Sequence, residues 1–90
     1  MTVTRINPAG IVFRITPSGT KTMVNSGSKN LLINLEYHEF MQCWYNWQMK
    51  GEFIQNAFPK LPAEEREFLM TTITPEEWKE IFAGKRDDED

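Results

Sequence analysis

The chain has 90 residues, 40% of them apolar and 12% aromatic, with a net charge of −3. That is enough apolar matter for one small core and too little for two, in proportions typical of a folded rather than a disordered chain. One cysteine forms no internal disulfide, no run nears the roughly 20 apolar residues of a membrane helix, and no signal-peptide pattern opens the chain, so a soluble protein of a reducing cytosol is expected.

Residues 10–16 alternate, with Ile11, Phe13 and Ile15 on one side and Val12, Arg14 and Thr16 on the other, which is strand periodicity in a β-branched run. Thr16-Pro17-Ser18-Gly19-Thr20 reads as a turn, and residues 21–24 as the returning strand of a hairpin. Residues 25–30 read as a small polar loop, the most mobile internal segment expected. Leu31-Leu32-Ile33 supplies material for a third strand, since two strands are marginal in water. From Leu35 the period becomes helical. Tyr37, Phe40, Met41, Trp44, Trp47 and Gln48 fall within about 120° of arc, with Glu39, Gln42, Asn46 and Lys50 opposite, and Gly51 is a stop.

Phe53, Ile54, Ala57 and Phe58 suggest a further turn or two of helix, ended by Pro59. Pro62 suits a first helical position, Glu64 and Glu65 the positive end of the helix dipole, and Phe68 and Leu69 a buried edge. Thr74, Pro75 and Glu77 give the clearest helix start, because a threonine with an acid three residues later forms a capping box. Trp78, Ile81 and Phe82 then share a face that should be buried, and Gly84 ends the helix. The expected fold is α+β: a two- or three-stranded antiparallel N-terminal sheet followed by three or four short helices on one face. The domain spans residues 1–84, β-rich over 1–34 and helical over 35–84, with 85–90 a disordered acidic tail.

Charge is distributed unevenly. Residues 1–34 carry Arg5, Arg14, Lys21 and Lys29 and no acid, whereas residues 35–90 carry six bases and thirteen acids. Helix starts and exposed helix faces account for many of the acids; a bipolar surface that selects a charged partner is the sharper reading. Catalytic chemistry finds little support. His38 and Cys43, five residues apart on one helix, point about 140° from each other and cannot act as base and nucleophile together. The remaining carboxylates crowd onto helix starts, and no glycine-rich phosphate loop is present. A non-enzyme without metal or cofactor is expected. Phe13, Arg14, Lys21 and Lys29 offer raw material for a single-stranded nucleic-acid platform, though four bases are few and the acidic tail would compete for them.

One resemblance extends this reading. Gly51, Ile54, Gln55, Phe58, Pro59, Leu61, then Arg66-Glu67-Phe68-Leu69, then Thr74-Pro75-Glu76-Glu77-Trp78 with Ile81 and Phe82, resemble a segment shared by small uncharacterised proteins of tailed bacteriophages. This chain has Thr72 where similar sequences tend to carry glycine. The resemblance implies a phage origin and supplies no activity. Small non-enzymatic phage proteins commonly act by occupying a host enzyme or defence complex, so the expected function is binding and modulating a host protein in the cytoplasm of the infected cell. Glu64, Glu65 and Glu67 would compete for a basic, nucleic-acid-binding surface of that partner. Tyr45 and Trp47, at the edges of the aromatic stripe, are the other candidate contacts. A structural or assembly component of the virion, a single-stranded nucleic-acid binder and a homo-oligomer stand as alternatives. No membrane partner is expected.

Overall fold

Alternating side chains draw the first half of the chain into strands. The computed structural model describes residues 1–81. It contains one antiparallel sheet of β1 (Val3–Ile6), β2 (Val12–Ser18), β3 (Lys21–Ser26) and β4 (Lys29–Ile33), paired in chain order. Helices follow: α1 (Tyr37–Gln48), α2 (Ile54–Ala57), α3 (Ala63–Thr71) and α4, described over residues 75–81. The architecture is therefore α+β, with four strands rather than two or three. β1 escapes sequence reading because its four residues are too few to show a period.

Two hairpin turns are tighter than expected. Ser18 pairs with Lys21 and Ser26 with Lys29, leaving two-residue loops whose first members, Gly19 and Gly27, have φ of 64° and 61°. A two-residue loop with positive φ first matches the twist of the flanking strands. Pro17 and Ser18 thus belong to β2, not to a turn, and Asn25 pairs with Asn30 inside the ladder, so the expected loop over residues 25–30 shrinks to Gly27 and Ser28.

The sheet buries one face. Phe13, Ile15, Val24 and Ile33 are sealed under α1, which contributes Tyr37, Phe40, Trp44 and Trp47. Phe13 meets Trp44 and Phe68 edge-on at centroid distances of 5.8 and 6.0 Å, and Phe58 lies 5.3 Å from Phe40. Such geometry suits the ring quadrupoles and adds to the gain from burial. Val12, Arg14, Lys21 and Leu32 face solvent on the other side of the sheet.

Two buried polar side chains tie the layers together. Asn7, in the β1–β2 turn, donates through Nδ2 to the carbonyls of Leu69 and Met70 at 2.9 and 3.0 Å. Its Oδ1 accepts from the amides of Ala9 and Ile11 at 3.0 and 2.9 Å. The turn is thereby held to the end of α3, whose last carbonyls lack helical partners. Thr22 on β3 donates to the Leu35 carbonyl at 2.8 Å and fixes the approach to α1.

The helix termini follow local chemistry, with adjustments. Glu36 caps α1 by accepting from the amides of His38 and Glu39, and Gly51 reverses the chain with φ 72°. α2 is a single turn. Pro62 sits just before α3, not in it: its extended ψ of 163° leaves its carbonyl to accept from Glu65 and Arg66. α3 ends on Thr72 in the left-handed region, φ 65° and ψ 12°. The capping box of α4 forms in both directions, with the Thr74 amide donating to Glu77 Oε1 at 3.0 Å and the Glu77 amide to Thr74 Oγ1 at 3.2 Å. Trp78 is half-buried rather than buried, and Ile81 is 46% exposed, because α4 lies at the margin of the core. Phe82, Gly84 and the acidic tail lie outside the described residues.

Candidate functional site

The expected acidic contact is spread over the first two turns of α3. Glu64, Glu65 and Glu67 are each partly buried. Burial, with Glu64 adding to it, raises the Glu65 carboxyl above the usual carboxylate range, and its Oε1 has no hydrogen-bond partner among the described residues. Glu67 accepts from the Thr71 hydroxyl at 3.0 Å. These acids are therefore drawn in part into the α3 surface.

The two aromatic candidates separate. Tyr45 is half exposed, whereas Trp47 is buried, its ring 5.2 Å from that of Trp44 and 6.2 Å from that of Phe58. A wheel drawn from sequence places Trp47 at the stripe's edge; Phe58, returning from α2, covers it. The residues of the nucleic-acid platform also come apart. Phe13 is sealed in the core, Arg14 and Lys21 lie on the opposite sheet face, and Lys29 bonds Glu77 through Nζ at 2.9 and 3.2 Å. That pairing, second to the Thr74 amide, holds the Glu77 carboxyl below the usual range.

His38 and Cys43 are likewise not brought together. His38 Nδ1 contacts Glu36 Oε2 at 3.0 Å on the exposed start of α1. Cys43 packs half-buried near Glu39 and Lys60, where burial first and Glu39 second raise its thiol above its ordinary value, so it is not an activated thiolate. Among the described residues, no group of three His, Cys, Asp or Glu could hold a metal ion, and no helix is long and apolar enough to cross a membrane.

Two grooves lie on either side of the β1–β2 turn. The larger, about 640 Å³, opens between that turn, the α1–α2 connection and the end of α3; Pro8, Trp47, Phe53, Ile54 and Met70 contribute to its lining. The smaller, about 480 Å³, separates β1 from α1 and is lined by Arg5, Ile6, Met41, Tyr45, Gln48 and Met49, among others. Most of the large apolar side chains left exposed gather here. Ile6, Tyr45 and Met49 line the small groove, and Phe53, at 75% exposure, and Met70 line the large one. Of this set only Tyr45 stands out in the sequence as a contact; Trp47, the other expected contact, is buried. Phe53 is assigned from sequence to the apolar edge of a helix, but it precedes α2 with extended backbone and projects outward. An exposed phenylalanine and methionine flanking Gly51 were the available signal.

No family model, curated protein or solved structure matches the chain.

Proposed function

We propose that this chain is a small, phage-encoded, non-enzymatic protein that binds and modulates a host protein, in the manner of a takeover or anti-defence inhibitor. The observation that carries the reading is the gathering of Ile6, Tyr45, Met49, Phe53 and Met70 around two adjoining grooves at one end of the fold. Contiguous apolar surface of this kind marks contact sites, and aromatic side chains in it anchor interfaces. The resemblance over residues 50–83 supports phage origin and thus a host cell as the setting. The unequal charge of the two halves supports a charged rim around the contact, with Glu64, Glu65 and Glu67 steering a basic partner rather than forming the centre of the interface.

Affinity capture from infected cells, run beside mass spectrometry of purified particles, tests this. The expected result is a host protein retained by the parent chain, lost with a Tyr45→Ala/Phe53→Ala variant of unchanged melting temperature, and no copy of the chain in the particles. Recovery of the chain from the particles without a host partner contradicts the proposal and favours a virion component.

A further inference from the structure

The small groove runs beside an unpaired sheet edge, and the ladder geometry says which backbone groups that edge presents. Asn7 and Ile11 oppose each other, with the Asn7 amide donating to the Ile11 carbonyl at 3.0 Å. Bonded and non-bonded pairs alternate in an antiparallel ladder. Arg5 and Val3 therefore bond across to β2, while the amides and carbonyls of Thr4 and Ile6 point away from the sheet. Arg5 agrees with this assignment, since its Nη1 bends back to the Thr4 carbonyl at 2.9 Å. Among the described residues β1 pairs only with β2, and it has no lysine or proline guarding its edge.

We infer that this edge accepts an extended peptide of a partner protein as a fifth strand, with an acidic residue opposite Arg5 and apolar residues on either side. The inference rests on the protein-binding reading and specifies its mode, strand addition, in which main-chain bonds give affinity and side-chain pockets give specificity. Charge decides the occupant. The residue opposite Arg5 shares its face with the groove that Arg5 lines. A carboxylate there meets the exposed Arg5 guanidinium. A second copy of this chain fits less well. The first 34 residues contain no acid, and the register that bonds Thr4 to Ile6 across a two-fold axis sets Arg5 against Arg5. Apolar residues next to the acid would lie along Ile6 on the outer sheet face, and those two positions away, on the face of Arg5, along Tyr45 and Met49.

The probe is a blocked heptapeptide with a central glutamate flanked by valines, compared with its twin carrying central lysine. Binding is followed by amide chemical shifts and hydrogen exchange of the full chain. The glutamate peptide is expected to protect the Thr4 and Ile6 amides and to bind about tenfold more tightly than the lysine twin. Thr4→Pro removes one outward amide and no β1–β2 ladder bond, so it should keep the melting temperature and abolish binding. Equal binding of both peptides, protection mapped elsewhere, undiminished binding to a folded Thr4→Pro variant, or absence of binding each overturns the inference. Self-association through β1, abolished by Thr4→Pro, overturns the chosen occupant. A captured host protein that protects the large groove but not Thr4 and Ile6 defeats strand addition while the protein-binding reading stands. Peptide binding at β1 without any captured host protein does the reverse.

Discussion

Thr72 is the only non-glycine residue with positive φ among those described, and it occupies the position where glycine is the usual helix terminator. A β-branched side chain in that region costs about 1–2 kcal/mol. Part of the gain from Thr72→Gly is offset by the greater freedom of glycine in the unfolded chain. A net stabilisation of about 0.5–1 kcal/mol is expected, read as a rise of a few degrees in melting temperature. Asn7 behaves oppositely. Asn7→Ala leaves two carbonyls and two amides without their buried partner and should cost at least about 2 kcal/mol in a denaturant melt. Glu65 makes a pH prediction. Its raised folded value means the folded chain holds the proton more tightly than the unfolded chain, so stability falls as pH rises from the ordinary carboxylate range through that value. Glu65→Gln should therefore melt above the parent at pH 7 and level with it in acid. The role of Asn7 was not legible, because its partners Leu69 and Met70 lie more than sixty positions away.

Several elements whose signals are local were read correctly. The capping box of Thr74 and Glu77 closes within four residues, the alternation of Ile11, Phe13 and Ile15 declares its own face, and Tyr37, Phe40 and Trp44 share a turn-by-turn stripe. Part of what failed depends on neighbours distant in sequence, whereas the turn at residues 16–20, the loop at 25–30 and the place of Pro62 were misread from local signals. Trp47 is covered by Phe58, and the half-buried state of Trp78 reflects how far α4 reaches onto the sheet. Truncations should rank accordingly. Phe68→Ala, fully buried against Phe13, should cost about 3–5 kcal/mol. Against the low end of a stability of about 5–15 kcal/mol, that loss brings the variant close to unfolding. Trp78→Ala should cost clearly less, and equal losses in parallel melts would show that α4 is integral to the core. Thr74→Ala should cost about 0.5–2 kcal/mol, felt mainly as faster hydrogen exchange in α4 rather than as global unfolding.

At the scale of the molecule, a basic sheet half faces an acidic helical half, and their shared end holds the apolar grooves. The fold class was legible because periodicity changes once, near Leu35. The grooves were not, since they form where the β1–β2 turn, the α1–α2 connection and the end of α3 converge. The proposed interface therefore centres on the apolar end, with the acids of α3 at its rim. Rim charges act mainly on association rate and salt dependence, so lysine at positions 64, 65 and 67 should slow association more than it speeds dissociation. The most direct measurement is a hydrogen–deuterium exchange footprint of the complex with a captured host protein. Protection is predicted over residues 4–9 and 45–55, with little over residues 63–67. Protection confined to the start of α3, leaving β1 and the α1–α2 connection unchanged, would contradict the account.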